Sequence, residues 1–162
     1  MVAVSDTSPI CYLVLIGEIE ILSKLFHQVQ VPQAVLAELR HEDAPESVRD
    51  WASNLPIWID VQEDPHDGAS GLDKLQAGER AAILLAQSAR ADVILLDEKS
   101  ARRVAADRGL LVAGTLALLG RASLQGLVDL TSAIDRLRKT NFRHSPALLK
   151  TTLELYSRPQ QR

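Results

Sequence analysis

Short apolar runs alternate with longer stretches in which apolar residues recur every three or four positions. The short runs predict β-strands, and the longer stretches predict helices. Strands are predicted at residues 2–4, 28–31, 57–61, 92–96 and 110–113, and helices at 9–16, 18–26, 32–41, 78–89, 98–108, 115–122, 130–139 and 146–156. This order predicts a three-layer α/β/α fold whose parallel sheet has about four or five strands, with extra helices at the C-terminal end.

The 162 residues contain no internal repeat and no linker-like segment. We therefore predict a single domain over residues 1–156, with a core at 1–122 and a helical C-terminal part at 123–156. Residues 157–162 are expected to form a frayed tail.

Composition narrows the class of protein. The net charge of −3 argues against a broad basic surface for nonspecific binding to duplex nucleic acid. A single cysteine, Cys11, excludes an internal disulfide and favours a reducing compartment. No secretory signal or apolar run of membrane-spanning length is visible, so we expect a cytoplasmic protein without a membrane partner.

Two aspartates stand directly after predicted strands. Asp6 follows the first strand, and Asp97 follows the fully apolar run 93–96. Because parallel strands end at the same edge of a sheet, both carboxylates are expected at the edge where α/β proteins bind ligands. For Asp6 the alternative is a simple helix cap, while Ser8 is itself a candidate N-cap before Pro9.

Two glutamates are predicted on the apolar faces of helices. Glu38 shares a face with Ala34 and Val35, and Glu79 precedes the apolar stripe of its helix. A favourable interaction with the helix dipole, worth about 0.3–1 kcal/mol, would not offset the burial of an unpaired carboxylate. We therefore expect Glu38 and Glu79 to face the same site as the two aspartates.

Acidic side chains gathered in this way favour a hard divalent cation, Mg²⁺ or Mn²⁺. The histidines are scattered and show no zinc-ligand spacing. Divalent ions held by carboxylates can activate a water and stabilise the oxygens of a phosphodiester during hydrolysis. The sequence thus indicates catalytic and metal-binding roles for Asp6, Glu38, Glu79 and Asp97.

Basic residues lie close to these acids in the sequence. Arg80 follows Glu79, and Lys99, Arg102 and Arg103 fall at the start of the helix after Asp97. We treat Lys99, Arg103 and Arg80 as candidate contacts to substrate phosphates, although such residues more often form a solvated helix face.

Four segments in chain order, VSDTSPI, VPQAVLAEL, AGERAAILLA and ADVILLDEKSARRVAADRGLLVAGTLALL, resemble the PIN domain. The likeness is to short prokaryotic PIN-like proteins related to VapC-type toxins, and it covers about residues 1–122. The resemblance implies a parallel sheet flanked by helices and Mg²⁺- or Mn²⁺-dependent endoribonuclease activity. It also implies an RNA substrate, a small antitoxin partner and a homodimer.

The family's acidic quartet maps by resemblance onto Asp6, Glu38, Glu79 and Asp97, with Thr7 and Ser8 at hydroxyl positions beside the first aspartate. This chain departs from many such toxins, which carry aspartate at the position of Glu79. It also lacks a further acid after the last strand, where Thr115 offers only a hydroxyl.

Two other functions remain open at this point. A PIN-like module without catalysis could bind nucleic acid or protein. An aspartyl-phosphate phosphotransfer protein would use Asp6 as phosphoryl acceptor beside Thr7, although Ser8 stands where a haloacid-dehalogenase-type phosphatase carries its second aspartate.

Overall fold

One parallel sheet organises the chain in the computed structural model, which describes residues 1–66, 68–143 and 145–156. Its strands are β1 (Val2–Ser5), β2 (Gln28–Pro32), β3 (Ile59–Gln62), β4 (Val93–Leu95) and β5 (Val112–Ala113). They pair in the order β3-β2-β1-β4-β5, and every pairing is parallel.

The helices of the described residues lie between and after the strands. They are α1 (Thr7–Leu15), α2 (Ile21–Leu25), α3 (Gln33–Leu39), α4 (Glu46–Ser53), α5 (Ala77–Ser88), α6 (Lys99–Asp107), α7 (Thr115–Leu124), α8 (Leu130–Arg138) and α9 (Pro146–Tyr156). None of these described helices combines the length and the apolar character that a membrane span requires.

The predicted α/β fold with a parallel sheet and extra C-terminal helices is confirmed. Several helix boundaries differ from the prediction by one to three residues, and the first two helices show the reason. The first helix begins at Thr7, two residues before Pro9, because proline is tolerated throughout a first helical turn. The second helix is only Ile21–Leu25, since Ile19 and Glu20 form a turn before it. The predicted frayed tail, residues 157–162, lies outside the described residues.

Neighbouring residues of each strand face opposite sides of the sheet, and each side has its own apolar core. Ala3 and Leu95 belong to a large core shared with α1, α7 and α8. Val4 and Ile94 belong to a second core formed with α5 and α6. Both faces of the central strands are therefore covered, as the fully apolar run 93–96 predicted.

The order of strands reverses between β1 and β4, because β2 and β3 extend the sheet on one side and β4 and β5 on the other. In open α/β sheets, ligands bind beyond the carboxyl ends of the strands at such a reversal. Ser5 pairs with Leu95 at this end of the sheet, so the residues that follow these two strands lie at the reversal.

The C-terminal helix α9 packs closely on α7. A Cβ atom added to Gly120 would come within 2.3–2.5 Å of ring carbons of Tyr156, so only a glycine fits against this ring. This contact fixes the position of α9 against α7.

Replacing Gly120 with alanine should push Tyr156 away and lower the unfolding free energy by about 1–3 kcal/mol, as overpacking usually does. Urea unfolding measures the change. In a Tyr156→Ala background the same replacement should cost little, because the clash is gone. An equal cost in both backgrounds would contradict this packing.

Candidate functional site

Asp6 occupies the N-cap position of α1, but its side chain makes no capping hydrogen bond. The residue is 4% exposed, and its Oδ1 atom is buried without a hydrogen-bond partner among the described residues. Its backbone N–H donates to the carbonyl of Leu95 (3.0 Å), which ties it to the end of β4. The alternative of a simple cap is therefore wrong. Ser8 is not the N-cap either, because it is the second residue of the helix.

Burial raises the pKa of the Asp6 carboxyl from 3.8 to about 7. The backbone of Thr7 opposes this rise, and the negative charges of Glu79, Glu38 and Asp97 add to it. The charges of the other three predicted acids therefore act on Asp6.

Glu38 joins three helices. Its Oε1 atom accepts a hydrogen bond from the backbone N–H of Gly78 (3.0 Å), at the start of α5. Its Oε2 atom accepts one from the hydroxyl of Thr7, on α1. Thr7, which the resemblance placed at a hydroxyl position beside Asp6, therefore supports Glu38.

Glu79 is the third residue of α5 and is 8% exposed. Its Oε1 atom accepts a hydrogen bond from the backbone N–H of Gln76 (3.0 Å), as in a capping box. Burial raises the pKa of this carboxyl, the Gln76 contact partly offsets the rise, and the charges of Glu98 and Glu38 increase it. The Glu79 side chain thus caps the start of α5 and also belongs to the acidic site.

Asp97 is held by the first residue of α7. The backbone N–H of Thr115 donates to its Oδ1 (2.7 Å), and the Thr115 hydroxyl donates to its Oδ2 (2.6 Å). Burial raises the pKa of Asp97, while the bonds from Thr115 and the charge of Arg102 lower it. The hydroxyl of Thr115 therefore orients Asp97.

A family model described as the PIN domain matches residues 2–158. The chain belongs to the PIN domain family. PIN domains are typically nucleases, and they generally depend on divalent metal ions. No curated protein and no solved structure matches the chain. The more specific relation to VapC-type toxins stays a prediction.

The basic residues around the acids of this PIN domain differ in their placement. Arg80 is half-buried and donates to the carbonyl of Leu75 (3.0 Å), and its contact to a substrate phosphate stays a prediction. Lys99 and Arg103 are exposed and line a groove that also includes Lys74 and Glu98. These two remain candidates for phosphate binding.

Sequence reasoning missed two contributors to the site. Glu98 was placed at the start of a helix, yet its charge acts on Glu79. A Cβ atom on Gly78 would lie 2.6–2.8 Å from the carboxylate of Glu38, so a glycine is needed there. The available signals were the acid directly after Asp97 and a glycine within the first turn of an otherwise strong helix.

The donor set suits a hard divalent cation, because the site offers carboxylate oxygens and the Oδ1 atom of Asp6 lacks a partner. No three histidine, cysteine, aspartate or glutamate side chains of the described residues already form a metal-binding group. Glu38, Glu79 and Asp97 are each held by protein donors. The four acids would hold the cation. The Oδ1 atom of Asp6, which has no partner among the described residues, is the oxygen available to it.

Replacing Gly78 with alanine should reduce metal-dependent activity by at least about tenfold, because the added methyl group displaces the Glu38 carboxylate. The unfolding free energy should change little, because the helix preference of alanine over glycine, about 1 kcal/mol, opposes the cost of the displaced carboxylate. Ser88→Ala, at the other end of α5, is the control. A variant as active as the parent would show that Glu38 does not need this position.

The Asp6 carboxyl gives a prediction for the metal-free protein. Its pKa is raised in the folded state, so the wild-type free energy of unfolding should fall as pH rises from about 4 to about 7, by about 4 kcal/mol at most. Asp6→Asn removes this penalty and should become more stable relative to wild type between pH 5 and pH 8.

Urea unfolding at both pH values, with chelator present, measures this difference. Asp43→Asn changes an exposed acid and should leave the difference between pH values unaltered. A constant gap between wild type and Asp6→Asn would refute the assignment of a raised pKa to Asp6.

Proposed function

We propose that this PIN domain is an Mg²⁺- or Mn²⁺-dependent endoribonuclease that hydrolyses RNA phosphodiesters. The observation that carries the proposal is the buried, unpaired Oδ1 atom of Asp6 at the strand-order reversal, coupled to three further carboxylates. Buried carboxylates are costly, so two buried and two half-buried carboxylates at a ligand-binding edge favour a cationic occupant.

Glu38 and Asp97 each have a defined support in this proposal. Asp6, Glu38, Glu79 and Asp97 would hold the cation, which when bound lowers the pKa of a water and stabilises charge on the phosphate. Thr7 and Gly78 orient Glu38, and Thr115 orients Asp97 by two hydrogen bonds. These bonds keep the acids aimed at one place before substrate arrives.

Substrate phosphates would be met at the edge of the acidic site. Lys74, Lys99 and Arg103 line one groove that reaches Glu98, whose charge acts on Glu79. A local basic rim of this kind can bind RNA phosphates although the whole chain carries a net charge of −3.

We also propose that the protein is the toxin of a toxin–antitoxin pair and acts in the cytoplasm as a homodimer. The support is the resemblance of residues 1–122 to VapC-related proteins. In such a pair, a segment of the small antitoxin would cover the acidic site and prevent RNA from reaching it.

A binding module without catalysis is the second candidate. It is favoured by the absence, among the described residues, of an assembled group of three metal-binding side chains, and by Thr115 in place of a further acid. The aspartyl-phosphate alternative has less support, because a carboxyl that is only 4% exposed is poorly placed to accept a phosphoryl group.

Asp6→Asn should abolish RNA cleavage in Mg²⁺ or Mn²⁺, because it removes the charged oxygen left for the cation. Defined RNAs and DNAs of the same sequence, with and without EDTA, measure the reaction. Asp92→Asn is the matched control, since Asp92 lies at the opposite end of β4, where its side chain accepts a hydrogen bond from the N–H of Val2.

Cleavage by Asp6→Asn at the parental rate would overturn the assignment. If the wild type cleaves neither RNA nor DNA, calorimetric titration with Mn²⁺ decides the remaining question. Failure to bind Mn²⁺ would then favour the module without catalysis.

A further inference from the structure

A groove of about 480 Å³ opens beside the acidic site. Asp97 and Glu98 line one part of it, Ser8 and Tyr12 of α1 another, and α9 supplies Tyr156. The volume falls within the range of small-ligand pockets. The groove is therefore continuous with the acids and large enough for a piece of substrate.

Two arginines give the groove a positive rim. Arg102 lies near Asp97, and Arg143 acts electrostatically on Tyr12. Both arginines are exposed, and neither forms an ion pair within the described residues. Guanidinium groups in this state are suited to phosphate oxygens.

Aromatic rings form the walls. Tyr12 and Phe142 meet edge to face, with ring centroids 5.0 Å apart and planes at 85°. Tyr156 lines the same groove and is half-buried against Gly120. Rings held in this way stack on nucleic-acid bases at low entropic cost.

We propose that this groove binds one unpaired nucleotide of the RNA strand next to the phosphate that is cut. The inference rests on the proposed nuclease function and names the subsite of that same site. Arg102 and Arg143 would contact the backbone phosphates, and the aromatic walls would stack on the base. Exposed arginines without ion pairs among the described residues, next to aromatic walls, favour a nucleotide, because a nucleotide offers both a phosphate and a base.

The groove also contains groups that can read a base. The carboxamide of Asn141 and the hydroxyl of Thr151 are both part of its lining. Both can donate and accept hydrogen bonds, as recognition of a base edge requires. Asn141 and Thr151 would therefore determine which base is preferred at this one position of the RNA.

Binding can be measured apart from cleavage. The full chain carrying Asp6→Asn, without divalent metal, is titrated into fluorescently labelled single-stranded oligoribonucleotides of U, A, C or G, and anisotropy gives the Kd. In this background, Tyr156→Ala should weaken binding about tenfold, because one stacked base is lost. Tyr156→Phe keeps the ring and should bind like the parent.

Arg143→Gln should weaken binding of every homopolymer and reduce the slope of log K against log salt by about one. Because Arg143 is exposed, its replacement should not disturb packing, so it tests the groove even if Tyr156→Ala loosens α9. Arg138→Gln is the matched control, because it removes the same charge from α8, outside the groove. Asn141→Ala should change the order of preference among the homopolymers more than the mean affinity.

Unchanged binding by both Arg143→Gln and Tyr156→Ala would overturn the proposal and leave the groove to a protein segment. Cleavage by the wild type would then still support the nuclease. The wild type could also cleave no RNA while the groove variants still weaken binding. That result would support the nucleotide subsite and contradict the proposed catalysis.

Discussion

Parallel pairing of β1 with β4 is the constraint on which the site depends. It places Asp6 and Asp97 at one edge, on either side of the point where the strand order reverses. The hydrogen bond from the Asp6 N–H to Leu95 continues this pairing beyond the strands. Helices α3 and α5 bring Glu38 and Glu79 to the same edge. Gly78 leaves room for the Glu38 carboxylate against the start of α5.

The fold was largely predictable because its signals are local. Strand and helix periodicity, together with the apolar run 93–96, predicted the parallel sheet and its covered faces. The same reasoning selected Asp6 and Glu79, since a carboxylate at a strand end or on an apolar helix face needs a partner. Errors occurred where two local rules competed, as at the start of α1, where Pro9 was taken as the first helical residue.

The supporting contacts could not be predicted, because they depend on side chains from distant parts of the chain. Thr7 bonds Glu38, and Thr115 bonds Asp97, across separations that no periodicity encodes. The groove beside α9 depends on how the C-terminal helices return to α1. Its lining joins Tyr12 to Tyr156, and their proximity follows only from tertiary packing.

The capping contact of Glu79 has a consequence for how this quartet can vary. Its carboxylate must reach back to the N–H of Gln76 to begin α5, and a glutamate has the length for that reach. An aspartate at this position would be one methylene shorter. The choice of acid at this position is therefore set jointly by the start of a helix and by the chemistry of the site, so neither can change alone.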